Sequence, residues 1–320
     1  MEFISECSAA AINKAAEALI AGNLVAFPTE TVYGLGADAT SEEAVSKIYK
    51  AKGRPADHPL IVHVSSLNSI SDWAVDIPEY AIQLARDFWP GPMTLVLKRS
   101  GLAKDFVTGG QGTVGLRVPN HPLALSLLQS FEKLGGKGLA APSANRFGAV
   151  SPTDAGAVKE ELESYLNSED LILDGGSCSV GVESTIIDCT GKAPKILRLG
   201  AITSEMIESS TGIELFENSS EVKIRVSGSL QSHYAPKAKV LLNADPKPGD
   251  FLIALAQYPA PANVNRLIEP RDVEEYARQL YFALRLADIK RLASVVAIEP
   301  RGGGLAAAIR DRLSKAASGK

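Results

Sequence analysis

The sequence predicts an α/β fold, in which an open, twisted, mixed sheet is followed by a second, smaller α/β unit. Apolar runs of strand length alternate with longer segments whose apolar residues recur at helical spacing. The connections between them are rich in Gly and Pro, as expected of loops in such a fold. With 320 residues, the chain exceeds the usual size of a single hydrophobic core, so two domains are expected.

Changes in composition along the chain predict the domain boundaries. The first domain is predicted over residues 1–205. Residues 206–237 are predicted to form a linker, because they are rich in Ser, Gly and Glu and poor in periodic apolar residues, although 222–226 is compatible with a strand. A smaller α/β domain of Rossmann-like type is predicted over 238–320.

Helices are predicted where a capping residue precedes a periodic apolar stripe. Ser8 can cap a helix over 9–21, which Gly22 ends, and a second helix begins near Ser41. Pro78 is placed to open a third helix at its first turn. Further helices are predicted over 122–134, 153–166, 273–287 and 305–316.

Strands are predicted for short apolar runs that turn residues bound on either side. In the first domain these runs cover 24–27, 60–64, 93–97, 114–118, 139–141, 171–173, 185–188 and 195–199. In the second domain they cover 240–242, 251–255 and 294–298. The mixture of strands and helices favours one open sheet in the first domain, and no internal repeat is visible.

Composition excludes several classes of protein. The formal net charge of −4 argues against non-specific nucleic-acid binding by the whole surface, while a local basic cleft remains compatible with it. Three cysteines without CxxC spacing indicate reduced thiols, and four scattered histidines do not suggest a metal cage. No uncharged apolar stretch approaches the length of a membrane span, so we expect a cytoplasmic protein without membrane contact.

A basic run, KIYKAKGRPADHPLIVHV, ends a predicted helix and leads into a predicted strand. Lys47 and Lys50 are interpreted as a solvated helix face. Lys52 and Arg54 are instead placed at the loop that follows, where binding residues collect. A compact ammonium and a planar guanidinium suit a polyphosphate, so these two residues predict a phosphate site.

Polar residues follow several predicted strands, at the edge where open α/β sheets bind ligands. These segments are Pro28-Thr29-Glu30-Thr31, Pro142-Ser143-Ala144-Asn145, Val182-Glu183-Ser184-Thr185 and Arg198-Leu199-Gly200. Arg117 lies within an otherwise apolar run, TVGLRVP, and a buried guanidinium needs an anionic partner. Two partners are equally compatible with the sequence: a bound anion, or an internal bridge to Glu30 or Glu183. No Walker or dinucleotide glycine loop is present.

Eight motifs occur in order along the chain: FPTETVYGLG, the KxR of Lys52 and Arg54, HPLIVHV, WPGPMTLVL, TVGLRVP, APSAN, GVESTI and ILRLG. Each motif is weak alone, but the ordered set resembles the YrdC family. The HYAP of 233–236 and the GGGLAAAIRDRLSKAA near the end are similar to the linker and C-terminal domain of its longer members, the two-domain threonylcarbamoyl-AMP synthases. The resemblance covers about 9–203 for the first domain and implies a YrdC-like sheet there.

The resemblance implies the activity of an L-threonylcarbamoyladenylate synthase, a nucleotidyltransferase. L-Threonine and bicarbonate would give N-carboxythreonine, which attacks the α-phosphate of ATP and releases pyrophosphate. No nucleophilic side chain is required, and Mg²⁺ is expected to accompany ATP. The product would pass to the tRNA threonylcarbamoyl transferase, and a direct contact with tRNA stays open.

Matched residue by residue, the resemblance implies two sets of ligands and no protein-held metal. Lys52 and Arg54 would be catalytic. The nucleotide would contact Arg54, His58, Thr113, Ser143, Asn145, Ser151, Arg198 and Tyr234, and threonine would contact Thr31, His63, Arg117, Ala141 and Ser184. At His58 we expect Asn from the family pattern, a difference that a backbone contact tolerates and a side-chain amide contact does not.

The residues of the segment over 227–236, SGSLQSHYAP, favour an ordered turn that docks the second domain, whereas the resemblance implies a lid that closes over the nucleotide. It is too polar for a core element, and its Tyr234 stands just before Pro236, which restricts the backbone.

Two other functions are compatible with parts of the sequence. An RNA-binding or ribosome-maturation module could use the same basic cleft, but the run from Lys47 to Arg54 offers only Tyr49 for stacking on bases. The carbamoyl-transferring hydrogenase-maturation relatives of the family would require zinc-type cysteine pairs, which the chain lacks.

Overall fold

A computed structural model of the chain describes residues 1–6, 8–215, 224–228 and 234–319. In these residues the strands form two sheets, one of ten strands and one of four. The ten-stranded sheet contains both parallel and antiparallel neighbours, whereas all pairs of the four-stranded sheet are parallel. The predicted fold class, a large mixed sheet with a second, smaller α/β unit, is therefore confirmed.

The large sheet extends over the first two thirds of the chain. Its strands are β1 Glu2–Ile4, β2 Val25–Phe27, β3 Gly34–Asp38, β4 Ile61–His63, β5 Met93–Lys98, β6 Thr113–Arg117, β7 Leu139–Ala140, β8 Leu171–Leu173, β9 Thr185–Asp188 and β10 Lys195–Arg198. They are ordered β1-β8-β2-β3-β7-β4-β6-β5-β9-β10. The parallel pairing of β4 with β6 places His63 opposite Arg117, so these two side chains of distant motifs become neighbours.

Eight helices with described bounds accompany this sheet. They are α1 Ala9–Ile20, α2 Glu42–Lys52, α3 Ile70–Trp73, α4 Glu79–Phe88, α5 Asp105–Thr108, α6 Pro122–Lys133, α7 Ala155–Leu162 and α8 Ser204–Thr211. The predicted caps are confirmed for the first two, since Ser8 accepts from the Ala11 N–H and Ser41 from the Ala44 N–H. Gly53 ends α2 in the left-handed conformation, which turns the chain sharply towards Arg54.

The second unit has a parallel sheet and two long helices. Its strands β11 Lys239–Leu242, β12 Phe251–Ile253, β13 Asn265–Ile268 and β14 Ser294–Ala297 are ordered β11-β14-β12-β13, with α9 Val273–Ile289 and α10 Leu305–Ala317 beside them. Its apolar core includes Val32, Val150 and Val182 of the first unit. Gly181 allows this contact, because a Cβ there would lie 2.4 Å from the Cα of Arg278. The second unit is thus packed directly against the segment that precedes β9.

Several element predictions were wrong in detail. The strands β1, β3 and β13 were not predicted, and the helix predicted over 153–166 stops at Leu162, before a short 3-10 turn. Pro78 is the N-cap of α4 and does not lie within its first turn. Of the strand considered over 222–226, residues 224–226 are not in a strand, and the other two lie outside the described residues.

The described cysteines, Cys178 and Cys189, are buried free thiols, in line with the reduced thiols predicted, whereas Cys7 lies outside the described residues. Within the described ranges, no helix combines the length and the apolar character needed to cross a bilayer.

Candidate active site

A small cavity lies where the ends of β4 and β6 meet the segments before β9 and after β10. It encloses about 50 Å³, which is room for a few water molecules at about 10–15 Å³ each. Of the residues predicted for the site, nine line this cavity: Thr31, Arg54, His63, Arg117, Ala141, Ser143, Ser184, Arg198 and Tyr234. The remaining five, Lys52, His58, Thr113, Asn145 and Ser151, lie outside its wall.

His63 occupies the side of the cavity that β4 and β6 build. Its side chain is buried, the ring of Phe27 meets it edge to face at 6.2 Å, and among the described residues its Nδ1 has no hydrogen-bond partner. Burial, and next the neighbouring Arg117 charge, lowers the pKa of the imidazole to about 3. His63 is therefore a neutral imidazole at physiological pH.

Arg117 forms one of the two contacts that the sequence left open, the internal bridge to Glu30, and it also lines the cavity. Its Nη2 lies 2.8 Å from Oε1 of Glu30, and both side chains are buried, so the internal bridge is present. The alignment of these two atoms does not make a hydrogen bond, and Nε donates to the Gly91 carbonyl at 3.3 Å. Glu30 also accepts from the Asn120 N–H. Arg117 lines the cavity as well, so the ion pair with Glu30 leaves its guanidinium at the cavity wall.

Arg54 and Arg198 also line the cavity and are both buried. Arg54 Nη2 donates to the Pro59 carbonyl at 2.9 Å and to Ser227 Oγ at 3.2 Å. Arg198 donates through Nε to the Ser184 carbonyl at 3.0 Å and through Nη2 to Ser184 Oγ at 3.1 Å. All these partners are uncharged, so neither guanidinium is neutralised by them. Burial lowers the pKa of Arg54 to about 10.

Lys52 is the third buried cation of this region. It is the last residue of α2, so the prediction that it lies on a loop was wrong. Its Nζ donates to the carbonyls of Ser143 and Asn145, which joins the helix end to the turn after β7. Burial, and next the charge of Arg54, lowers the pKa of Lys52 well below its usual value. Within the described residues, none of the cations Lys52, Arg54 and Arg198 forms an ion pair with a carboxylate.

Three further predicted nucleotide ligands are Asn145, Ser151 and Thr113. Asn145 is buried and, in the described part of the chain, its Oδ1 has no hydrogen-bond partner, whereas Nδ2 donates to two backbone carbonyls. Ser151 Oγ donates to Glu183 at 2.7 Å. Thr113 opens β6 and lines a neighbouring pocket that also includes Ser227.

His58 contributes through its backbone. Its carbonyl accepts from Tyr49 Oη at 3.0 Å and from Arg54 Nε at 3.4 Å, while its ring packs edge to face on Phe147. A carbonyl contact does not depend on whether the side chain is His or Asn, so the departure from the family pattern leaves the support of Arg54 intact.

Tyr234 is buried against the second unit. Its side chain is 1% exposed. The ring stacks on that of Tyr281 at 5.6 Å, and the Arg312 guanidinium lies 5.3 Å from it. The inference that this segment is too polar for the core was therefore wrong for Tyr234. Residues 229–233 of the segment, His233 among them, lie outside the described residues.

The sequence drew attention to Glu183 without assigning it a role in the site. Its carboxylate lines the cavity and accepts from Tyr281 Oη and Arg312 Nε, each at 2.8 Å. Burial raises the pKa of this carboxyl, but the charges of Arg312 and Arg198 and the hydrogen bonds outweigh burial and lower it to about 2. Tyr281 and Arg312 were missed because they come from the second unit. Arg312 lies within GGGLAAAIRDRLSKAA, but that motif was linked only to the C-terminal domain and not to the site.

The burial of His63 predicts an acid-sensitive component of stability. The folded protein protonates His63 only near pH 3, whereas an unperturbed histidine takes up its proton near pH 6.5. Below about 6.5 the unfolded state therefore binds more protons, and the free energy of unfolding falls by about 1.4 kcal/mol per pH unit. Urea unfolding of the wild type and of His63→Gln between about pH 7 and about pH 5 measures this component. The variant should lose it, and equal slopes in both proteins would show that His63 titrates normally.

Comparison with known proteins shows the family to which the chain belongs. Residues 17–200 match the Sua5/YciO/YrdC family model, described as "Telomere recombination". Residues 202–318 match the model "Threonylcarbamoyl-AMP synthase, C-terminal domain". Proteins named threonylcarbamoyl-AMP synthase from Pyrococcus abyssi and Bacillus subtilis are 40% and 38% identical, over 92% and 97% of this chain and 90% and 93% of their own lengths.

Solved structures agree with this assignment. The crystal structure of P. abyssi Sua5 complexed with L-threonine is 38% identical, with a TM-score of 0.87, and the match covers 99% of this chain and 97% of that one. YciO of E. coli, at 24% identity and a TM-score of 0.52, covers 63% of this chain and 95% of its own, and shows the fold of the first unit alone. The chain therefore belongs to the Sua5/YciO/YrdC family, among the threonylcarbamoyl-AMP synthases that carry the additional C-terminal domain.

Proposed function

We propose that this chain forms threonylcarbamoyl-AMP and pyrophosphate from L-threonine, bicarbonate and ATP, for threonylcarbamoyladenosine modification of tRNA. The family membership makes it a threonylcarbamoyl-AMP synthase, an enzyme of nucleotidyltransferase type. One observation carries the assignment to this cavity. Three buried cations at or directly behind its wall have no carboxylate partner within the described residues, and a polyphosphate supplies the missing negative charge.

The nucleotide would occupy the side of Arg54 and Arg198. Their guanidinium groups reach the wall and would bind phosphate oxygens, while Lys52 adds positive charge behind the turn at Ser143 and Asn145. The unpaired Oδ1 of Asn145 and the hydroxyl of Ser143 would contact the nucleotide from this turn. We assign to the same ligand the surrounding residues His58, Thr113, Ser151 and Tyr234.

Threonine would occupy the side that β4 and β6 build. The Arg117 guanidinium is held by Glu30 and would bind the threonine carboxylate. Neutral His63 would offer its Nδ1, and Thr31, Ala141 and Ser184 complete the wall, with Ala141 acting through its backbone. Ser184 donates to or accepts from Thr94 and also contacts Arg198, so the two sides of the cavity meet at this hydroxyl.

The chemistry follows from this arrangement. A carbamate oxygen of N-carboxythreonine attacks the α-phosphorus of ATP, a new P–O bond forms, and the bond to the pyrophosphate oxygen breaks. The chain supplies no nucleophile, so catalysis depends on alignment of two anions and on neutralisation of the phosphate charge by Arg54, Arg198 and Lys52.

Mg²⁺ would accompany ATP and offset further negative charge. In the described parts of the chain, no group of three or more His, Cys, Asp and Glu side chains could hold a metal ion. These residues therefore do not fit a protein cage for Mg²⁺, and the phosphate oxygens would have to hold it.

The organisation of the chain fits the same proposal. We propose 1–205 as the catalytic domain, 206–237 as the linker that covers the nucleotide, and 238–320 as the C-terminal α/β domain. In the cytoplasm, the product would pass to the tRNA threonylcarbamoyl transferase. An RNA-binding module is less well supported, because Lys52 and Arg54 are buried and do not form a basic surface open to an RNA backbone.

Arg117→Lys tests the threonine side. Lysine keeps the charge but loses the planar fork that binds a carboxylate through two donors. We expect the KM for threonine to rise by about tenfold or more, since a charge-assisted hydrogen bond is worth about 1.5–3 kcal/mol. The KM for ATP should change little in the same steady-state assay. A loss of thermal stability with an unchanged threonine KM would leave Arg117 as an internal bridge to Glu30 only.

The substrates themselves test the proposal. Pyrophosphate release should require ATP, bicarbonate and threonine together and should stop when any one is omitted. Serine should react more slowly, because a missing methyl group in a fitted pocket costs about 1–3 kcal/mol. Equal turnover of ATP without an amino acid would contradict the proposal and leave an ATP hydrolase.

A further inference from the structure

Two side chains of the second unit reach the wall of the cavity. Arg312 on α10 is fully buried, and its Nε donates to Oε2 of Glu183 at 2.8 Å. Tyr281 on α9 donates from its hydroxyl to the same oxygen at 2.8 Å. The other oxygen of Glu183 accepts from Ser151 at 2.7 Å. A carboxylate that lines the catalytic cavity is thus held largely by the second unit.

The Arg312 guanidinium also binds the segment that follows β10. Its Nη2 donates to the Leu199 carbonyl at 2.9 Å. Leu199 directly follows Arg198, and Ser184 directly follows Glu183. Arg198 donates to Ser184 through both Nε and Nη2. Arg312 therefore bridges the two segments that carry the Ser184–Arg198 pair, which we call the wall pair.

The charges around the wall pair explain why such a bridge is useful. The pKa of Glu183 is lowered to about 2, so its carboxylate is ionised at neutral pH. Glu183 and Arg198 both line the cavity. A carboxylate at this position would repel phosphate oxygens or pair with Arg198 if nothing else took up its charge. Arg312 forms an ion pair with Glu183 through Nε and one with Asp311 through Nη1, and Lys315 also pairs with Asp311. Arg198 retains only uncharged hydrogen-bond partners among the described residues. The second unit in this way leaves Arg198 free to attract an anion.

We infer that Arg312 is a positioning residue of the adenylation site: from the second unit it neutralises Glu183 and fixes the wall pair, so that the nucleotide site in the first unit is complete only when the second unit is docked. Tyr281 supports Glu183 in the same way. This inference rests on the proposed function, because it assigns Arg198 to the phosphates of ATP.

Arg312→Lys tests the inference with the charge retained. A single ammonium group cannot reproduce the planar fork that binds Glu183 and Leu199 together. We expect kcat/KM for ATP to fall by about 10- to 100-fold, because a displacement of about 1 Å in a positioned group can cost about 100-fold. Calorimetric titration should show a weaker ATP affinity in the same variant.

Arg285→Lys is the matched control at the same interface. Arg285 on α9 donates to the Ala157 carbonyl at 3.0 Å and forms ion pairs with Glu160 and Glu161, all on α7. Within the described residues, it forms no hydrogen bond or ion pair with Glu183 or Leu199. The control should keep wild-type kinetics and wild-type ATP affinity. Wild-type kcat/KM and ATP affinity in Arg312→Lys, or equal losses in both variants that follow their melting temperatures, would overturn the inference.

Tyr281→Phe keeps the test decisive if Arg312→Lys does not fold. It removes one donor to Glu183 and retains the ring, and it should reduce kcat/KM for ATP without a matching loss of melting temperature. Unchanged kinetics in Tyr281→Phe would overturn the inference. A wild type that makes no adduct contradicts the proposed function instead. The inference can then still be tested by comparing the ATP affinities of Arg312→Lys and Arg285→Lys, because binding needs no turnover.

Discussion

Replacing Arg54 with Ala is expected to lower kcat/KM for ATP by about 100-fold, which corresponds to about 2.7 kcal/mol. The guanidinium is buried at the cavity wall, and its recorded hydrogen-bond partners are uncharged. Its charge is therefore available to the phosphates, and a charge-assisted hydrogen bond is worth about 1.5–3 kcal/mol. Steady-state kinetics with ATP varied at saturating threonine and bicarbonate measures the effect.

Lys50→Ala is the control for the Arg54 experiment. Lys50 belongs to the same basic run and lies in the last turn of α2, but it is exposed, so its charge is screened by water. The control should keep wild-type kinetics. If Arg54→Ala were as active as Lys50→Ala, the basic run would be a solvated face and the phosphate site would lie elsewhere.

Tyr234→Ala is expected to lower the free energy of unfolding by about 3–5 kcal/mol, the usual cost of removing a large buried aromatic side chain. Tyr234 is buried against Tyr281 and under the Arg312 guanidinium, and it belongs to the apolar cluster of the second unit. Its loss opens a void between the two units. Chemical unfolding of both proteins at one pH measures the change, and synthesis should fall together with stability.

Tyr234→Phe separates the ring from the hydroxyl. The ring retains its stacking on Tyr281, so the free energy of unfolding should stay much closer to that of the wild type than it does in Tyr234→Ala. A Tyr234→Ala protein as stable as the wild type would contradict the buried position and support the lid that the family resemblance implies.

The sequence predicted most of the elements because their signals are local. Ser8 and Ser41 stand before periodic apolar stripes, and both cap their helices in the structure. The strand β3 was missed because GLGAD contains two glycines, which weaken a strand signal. Gly36 is required there, since a Cβ would lie 2.8 Å from the ring of Phe27. Close packing of a side chain from the neighbouring strand β2 therefore overrides local propensity at this strand.

The arrangement of the candidate site could not be predicted from the sequence. The adjacency of His63 and Arg117 depends on the register of β4 with β6, which no local pattern determines. Gly53 and Pro55 suggested that Lys52 lies on a loop, but it ends α2, and two carbonyls of the turn after β7 bind it in the interior. Arg312 and Glu183 are separated by 129 residues, so their ion pair follows only from the docking of the second unit.

Mass spectrometry of the product made from ATP, L-threonine and isotopically labelled bicarbonate is the most direct test of the central claim, that this cavity joins threonine, bicarbonate and the α-phosphate of ATP. We predict threonylcarbamoyl-AMP with the label in its carbamoyl group, formed together with an equal amount of pyrophosphate, and the yield should collapse in Arg54→Ala but not in Lys50→Ala. Release of AMP or ADP without a labelled adduct would contradict the account.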